Sequence, residues 1–127
     1  MLNILEDDNW VGFRSGNNQG NYEDNYQELA YLINTSNISY YNNPYEILSD
    51  ESYYFAYREP YVLEFYFNNT LIKLINVHYK CCDGYEEQRR VANQKLYNYI
   101  DTSQSVIELG DSNDLLIDDN NLFQIFL

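Results

Sequence analysis

Residues 71–114 constrain this chain more than any other part of it. An apolar run, LIKLINVHYK, is followed by a polar segment with helical periodicity and then by a second apolar run that ends in GDSND. Within the first run Ile72, Leu74, Asn76 and His78 share one face, while Leu71, Lys73, Ile75 and Val77 share the other. This strand is therefore expected to be buried on both sides until its end. Between the two runs, Ala92, Leu96, Tyr99 and Ile100 fall at i, i+4, i+7 and i+8, a stripe that gives a helix one face for a sheet. Asp83 is placed to cap that helix with Glu86 three residues on, the spacing of a capping box, and Glu86 and Glu87 favour the positive end of its dipole. Strand, helix and strand in this order predict an α/β fold with a right-handed crossover between parallel neighbours. Asn76 and His78 at the end of the first strand would then lie beside Asp111, Asn113 and Asp114 at the end of the second. Carboxyl ends of strands are where α/β proteins build their sites.

Upstream, YVLEFYF alternates, with Leu63, Phe65 and Phe67 on one face and Val62, Glu64 and Tyr66 on the other, and Asn68-Asn69-Thr70 supplies a hairpin turn into the next strand. An earlier strand is expected over about residues 28–33, with residues 37–41 as its partner across a short turn. Residues 1–25 carry Gly12, Gly16 and Gly20 among polar neighbours and read as an irregular loop, preceded by a short strand at residues 2–5. Asn42-Asn43-Pro44 breaks the pattern, and residues 45–56 form a Tyr-rich connection.

A chain of 127 residues that is 45% apolar, with 15 Tyr and 6 Phe, fits one folded domain. Its charge disfavours non-specific clinging to nucleic acid. With 20 Asp plus Glu against 7 Lys plus Arg, and a formal charge of −13, no basic stripe is visible to hold nucleic acid by a general field. A phosphodiester could still be engaged locally, by a bound cation or one well-placed Arg. Cys81 and Cys82 are neighbours, which rules out an ordinary disulfide framework; they could pair with outside thiols, bind metal or serve as small residues. Three N-x-S/T matches, at Asn34, Asn37 and Asn68, carry little meaning in a chain this rich in Asn. No apolar run approaches a membrane span, and MLNILEDDNW lacks the regions of a signal peptide, which leaves localisation open.

The segments NVHYKCCDG, EEQRRVANQKLYNYI and VIELGDSND, in this order, resemble the core of the endonuclease/exonuclease/phosphatase superfamily, which includes pancreatic-type deoxyribonucleases. NYQELAYLI resembles the family strand that carries a functional Glu, and YREPYVLEF resembles its Arg-Glu-Pro turn, so the similarity runs over residues 26–114. The resemblance implies a four-layer α/β/β/α sandwich with mixed sheets and hydrolysis of phosphodiesters, nucleic acid above all, with magnesium or another divalent cation. On it, His78 would contact the scissile phosphate and assist the departing oxygen, and Glu28 would orient His78. Asp111 would align or deprotonate the attacking water, Asn113 would hold a phosphate oxygen or the nucleophile, and Arg58 would bring positive charge to the phosphate. Asn76 would belong to the phosphate-binding set or support the strand end. Singly, each residue has a plainer reading: a strand-end histidine, a turn at residues 111–114, surface charges at Glu28 and Arg58.

The family pattern also places an Asn-bearing strand and a strand ending in a metal-binding Glu upstream, and a Ser-Asp-His segment downstream. Neither upstream feature is found before Trp10, and His78 is the one histidine. On this pattern the chain is expected to be an incomplete domain: a piece of such an enzyme, or a remnant or interaction module that keeps the scaffold without turnover. Uncovered sheet edges and apolar faces would invite self-association.

Overall fold

The computed structural model describes residues 9–16, 28–38 and 41–114, which form mixed α+β structure. Strands β1 (Trp10–Arg14) and β2 (Ala30–Asn34) pair antiparallel, and β3 (Tyr45–Glu46), β4 (Tyr61–Phe67), β5 (Thr70–His78) and β6 (Ser105–Asp111) form a sheet in that order. The β3–β4 and β4–β5 pairs are antiparallel. The β5–β6 pair is parallel and is joined by helix α1 (Glu86–Tyr99), as strand–helix–strand order predicts.

Alternation along β4 and β5 divides the core in two. Val62, Ile75 and Val77 face the helix, where Ala92 and Leu96 meet them together with Ile47, Phe55 and Tyr79. Tyr61 and Leu63 face the other way and pack against Leu29, Tyr31 and Ile33 of the β1–β2 pair. The described residues thus stack as three layers, helix, four-stranded sheet and two-stranded sheet. A four-layer sandwich would need a further helical layer outside β1–β2.

Hydrogen bonds tie the two sheets together and give the abundant tyrosines a structural purpose. Buried Tyr31 donates its hydroxyl to the carbonyls of Tyr61 at 2.7 Å and Leu74 at 2.9 Å, and Tyr61 donates to Arg14 O at 3.2 Å. A buried phenol needs such a partner, because leaving it unpaired away from water costs about 1–3 kcal/mol. Burial pushes the Tyr31 hydroxyl far above its ordinary pKa, so it stays a donor.

The β4–β5 turn is built from its own residues. Asn68 and Asn69 take φ values of 48° and 63°, the left-handed pair that a two-residue type I′ hairpin requires and that Asn tolerates best after Gly. Replacing Asn69 with Val should cost about 1–2 kcal/mol, because a β-branched side chain is strained at positive φ. Urea denaturation followed by circular dichroism checks this, and Asn69→Gly should stay near wild type.

Four expectations are corrected. Residues 10–14 are a strand, not loop: Gly12 stands opposite Leu32 in the ladder and Phe13 packs on the second core cluster, so pairing outweighs the glycine signal. Among the described residues strand β2 pairs with β1, while residues 37 and 38 belong to a turn and Tyr41 bridges to Phe65, since Asn34 accepts Ser36 N–H on its side chain and the Asn37 and Ile38 N–H groups on its carbonyl. Asp83 is not the helix cap. Gly84, at φ 88°, carries the chain away from helical geometry, α1 begins only at Glu86, and Glu86 Oε1 accepts Gly84 N–H. The buried face of α1 is Arg89, Ala92, Asn93 and Leu96, with Tyr99 exposed and Ile100 half-buried. Its two polar members are buried because they have partners: Asn93 faces the Tyr79 hydroxyl, and Arg89 Nη1 donates to the carbonyls of Lys80 and Cys82. The expected strand at residues 2–5 lies outside the described residues.

No helix among the described residues is long and apolar enough to cross a membrane.

Candidate functional site

The parallel register of β5 and β6 places His78 directly opposite Asp111. Both strands end there, the imidazole Nε2 lies 3.9 Å from Asp111 Oδ2, and the ladder closes with Tyr79 N–H donating to Asp111 O at 3.0 Å. The two side chains differ in setting: His78 is 22% exposed and Asp111 64%. Gly110, at φ 133°, bends β6 just before Asp111 in a conformation that L side chains rarely adopt.

Arg58 reaches the same strand end from the connection between β3 and β4. Its Nε donates to His78 O at 3.2 Å and its Nη2 to Tyr79 O at 3.3 Å. The turn that delivers it is tight: Phe55, fully buried, accepts Arg58 N–H, and Ala56 and Tyr57 between them both have positive φ. Asn113 also converges on Tyr79 O, through Nδ2 at 2.9 Å, while its own N–H donates to Asp111 Oδ1. The loop at residues 111–113 is therefore an Asx turn as well as part of the cluster.

Two expected members sit elsewhere. The Glu28 carboxylate pairs with Arg14 at 3.3 Å, and among the described residues no hydrogen bond joins it to His78. Asn76 Nδ2 donates to Ala30 O across the interface between the sheets at 3.2 Å, which makes it a structural tie. Sequence reasoning missed Tyr79, whose carbonyl gathers Arg58 and Asn113 while its fully buried ring packs against Phe55. Its hydroxyl lies 3.2 Å from both Asn93 Oδ1 and Glu108 Oε1. Burial pushes the Glu108 carboxyl above its ordinary range, with the Tyr79 hydrogen bond opposing. The signal for Tyr79 was its place one step beyond a two-sided strand.

The electrostatics fix the charge state of the imidazole. Burial lowers the His78 pKa and the Arg58 charge lowers it further, against an opposing pull from Asp111. At neutral pH His78 is therefore neutral, and the contact with Asp111 is not an ion pair. The linkage follows: below 6.5, its ordinary value, an unfolded chain binds a proton at His78 that the folded chain refuses. Its contribution to stability is full above 6.5 and is lost as pH falls through the lowered folded value. An NMR titration of the sole imidazole should show a midpoint below 6.5 that rises on Arg58→Gln; a midpoint at or above 6.5 would contradict this assignment.

Magnesium takes oxygen ligands from one or two carboxylates along with water and substrate phosphate. Among the described residues no three His, Cys, Asp or Glu side chains converge, and Asp111 is the carboxylate at the β5–β6 strand ends. These residues alone do not make a magnesium site. Comparison with protein-family models, curated proteins and solved structures finds nothing that matches this chain.

Proposed function

We propose that the strand-end cluster is a phosphodiester site of the endonuclease/exonuclease/phosphatase type, with nucleic acid as the substrate class. The observation that carries this reading is the His78–Asp111 register, an imidazole and a carboxylate side by side at the ends of parallel strands with a guanidinium behind them. Phosphodiester hydrolysis needs an oriented water, charge stabilisation at the phosphoryl oxygens and a proton for the leaving oxygen. Neutral His78 suits the acceptance of a proton from the attacking water, whose oxygen then bonds to phosphorus as the ester P–O bond breaks. Asp111 would steady the imidazolium that forms, the departing alkoxide would take its proton from solvent, and Arg58 and Asn113 would face the phosphoryl oxygens. The divalent cation that the resemblance implies would need donors beyond the described set.

A second reading, a scaffold without turnover, is favoured by a specific observation. Arg58 and Asn113 each direct a donor to the Tyr79 carbonyl, which makes them braces of the strand end in this conformation. Binding and turnover therefore need separate assays. Titrating a dinucleoside monophosphate into the chain should shift the His78 imidazole resonances saturably, and Arg58→Ala should abolish the shift. An unmoved imidazole would sink the phosphodiester reading. In a plasmid-nicking assay with magnesium the chain should show little or no activity above His78→Ala, whereas turnover that His78→Ala removes would eliminate the scaffold reading.

A further inference from the structure

The loop between β5 and α1 holds the chain's two cysteines in an arrangement that phosphodiester chemistry does not use. Cys81 and Cys82 are both exposed, and the Cys82 thiol donates to Cys81 Sγ at 2.7 Å. Neighbouring residues in an extended chain point their side chains apart. Here Cys82 takes φ 78°, a left-handed conformation that folds the loop back and brings the two sulfurs to the same side.

The loop is fixed from below. Arg89, a buried guanidinium on α1, donates from Nη1 to Lys80 O at 3.0 Å and to Cys82 O at 3.1 Å, clamping the carbonyls on either side of Cys81. Tyr79, fully buried, anchors the start of the loop, and the Lys80 ammonium lies 4.9 Å from the Tyr85 ring centre across it. The sulfurs are thus presented by a braced backbone on an open surface, where a small thiol reagent can reach them.

We infer that Cys81 and Cys82 form a thiol–disulfide site, oxidised by a low-molecular-weight disulfide such as oxidised glutathione to a disulfide bridging the two neighbours. A thiolate of one cysteine attacks the reagent's S–S bond, forming a mixed disulfide and releasing one reduced thiol. The second cysteine, deprotonated, attacks the protein sulfur of that mixed disulfide, closing the small ring and expelling the second reduced thiol. Two protein thiols are oxidised as one reagent disulfide is reduced to two thiols. The Cα atoms of neighbouring residues are about 3.8 Å apart, below the roughly 4.4–6.8 Å of an ordinary bridge, so the ring is reduced easily and the site is reversible. The Cys82 thiol is held above its ordinary pKa, chiefly by its hydrogen bond to Cys81, and Cys81 lies within electrostatic reach of Arg58.

The chain has only these two cysteines, which makes the test direct. The reduced protein, kept folded, is incubated with excess oxidised glutathione and analysed by intact mass and by thiol titration with a chromogenic disulfide. The expected product is a monomer lighter by two hydrogens with no titratable thiol, from which dithiothreitol restores both. Cys81→Ser and Cys82→Ser should each stop at a stable glutathione adduct. A wild-type product that keeps glutathione adducts, forms cross-linked dimers or retains free thiols would overturn the assignment.

Discussion

Replacement of Gly110 by alanine is expected to leave the chain marginally folded or unfolded at room temperature. A Cβ built at Gly110 falls on the Val77 carbonyl oxygen of the neighbouring strand, deep inside van der Waals contact, and 2.9 Å from both Val77 C and N. These are backbone atoms in the next-to-last pair of the β5–β6 ladder, where Val77 and Gly110 are direct partners, so no side chain can swing away to make room. The φ of 133° adds a second cost, because L residues seldom adopt it. Strain and overlap together amount to on the order of 4 kcal/mol, against a typical total stability of about 5–15 kcal/mol for a whole domain. The variant should therefore lose most of its urea midpoint by circular dichroism, and any folded remnant should show a displaced His78 resonance, because Asp111 follows Gly110 directly. A midpoint within error of wild type would show that β6 does not pair with β5 in this register.

Phe55→Ala is expected to cost about 3–5 kcal/mol, the usual range for removing a buried aromatic side chain without collapse of the space it leaves. Phe55 is 1% exposed, sits in the cluster between sheet and helix, and has its ring centre 6.1 Å from that of Tyr79. Collapse is hindered because the cluster it belongs to also holds Val62, Ile75, Val77 and Leu96, fixed by the sheet and the helix. The consequence reaches the candidate site. Phe55 O accepts Arg58 N–H, so loosening the Phe55 turn frees Arg58 from the His78 and Tyr79 carbonyls. Relieved of that positive charge, the imidazole should titrate at higher pH than in wild type. Phe55→Leu, which keeps most of the volume, should restore much of both stability and titration. A Phe55→Ala protein as stable as wild type would place Phe55 outside the core.

Elements whose signals lie within a few residues of one another are legible in the sequence alone. The β4–β5 hairpin follows from alternation and from two asparagines that tolerate left-handed φ, and β5–α1–β6 follows from one stripe between two apolar runs. The proximity of His78 and Asp111 is legible for the same reason, since parallel pairing of neighbouring strands brings their carboxyl ends together. Glu28 and Asn76 were placed by resemblance, and the structure gives each a different partner, Arg14 and Ala30 O. Phe55 is hidden in a Tyr-rich connection, because burial of a turn residue depends on what packs over it. Arg89 and Asn93 are hidden because a hydrophobic pattern does not register polar groups whose partners lie in a distant loop or strand.

The sequence by itself determined the hairpin, the crossover and the strand-end pairing of imidazole with carboxylate, because side-chain period and turn stereochemistry act over a few residues. Only the tertiary structure decided that β1 pairs with β2, that Arg58 braces the His78 strand end, and that Cys81 and Cys82 face each other. Each of these turns on which distant groups win a hydrogen bond or a place in the core, a competition between segments that no local pattern records.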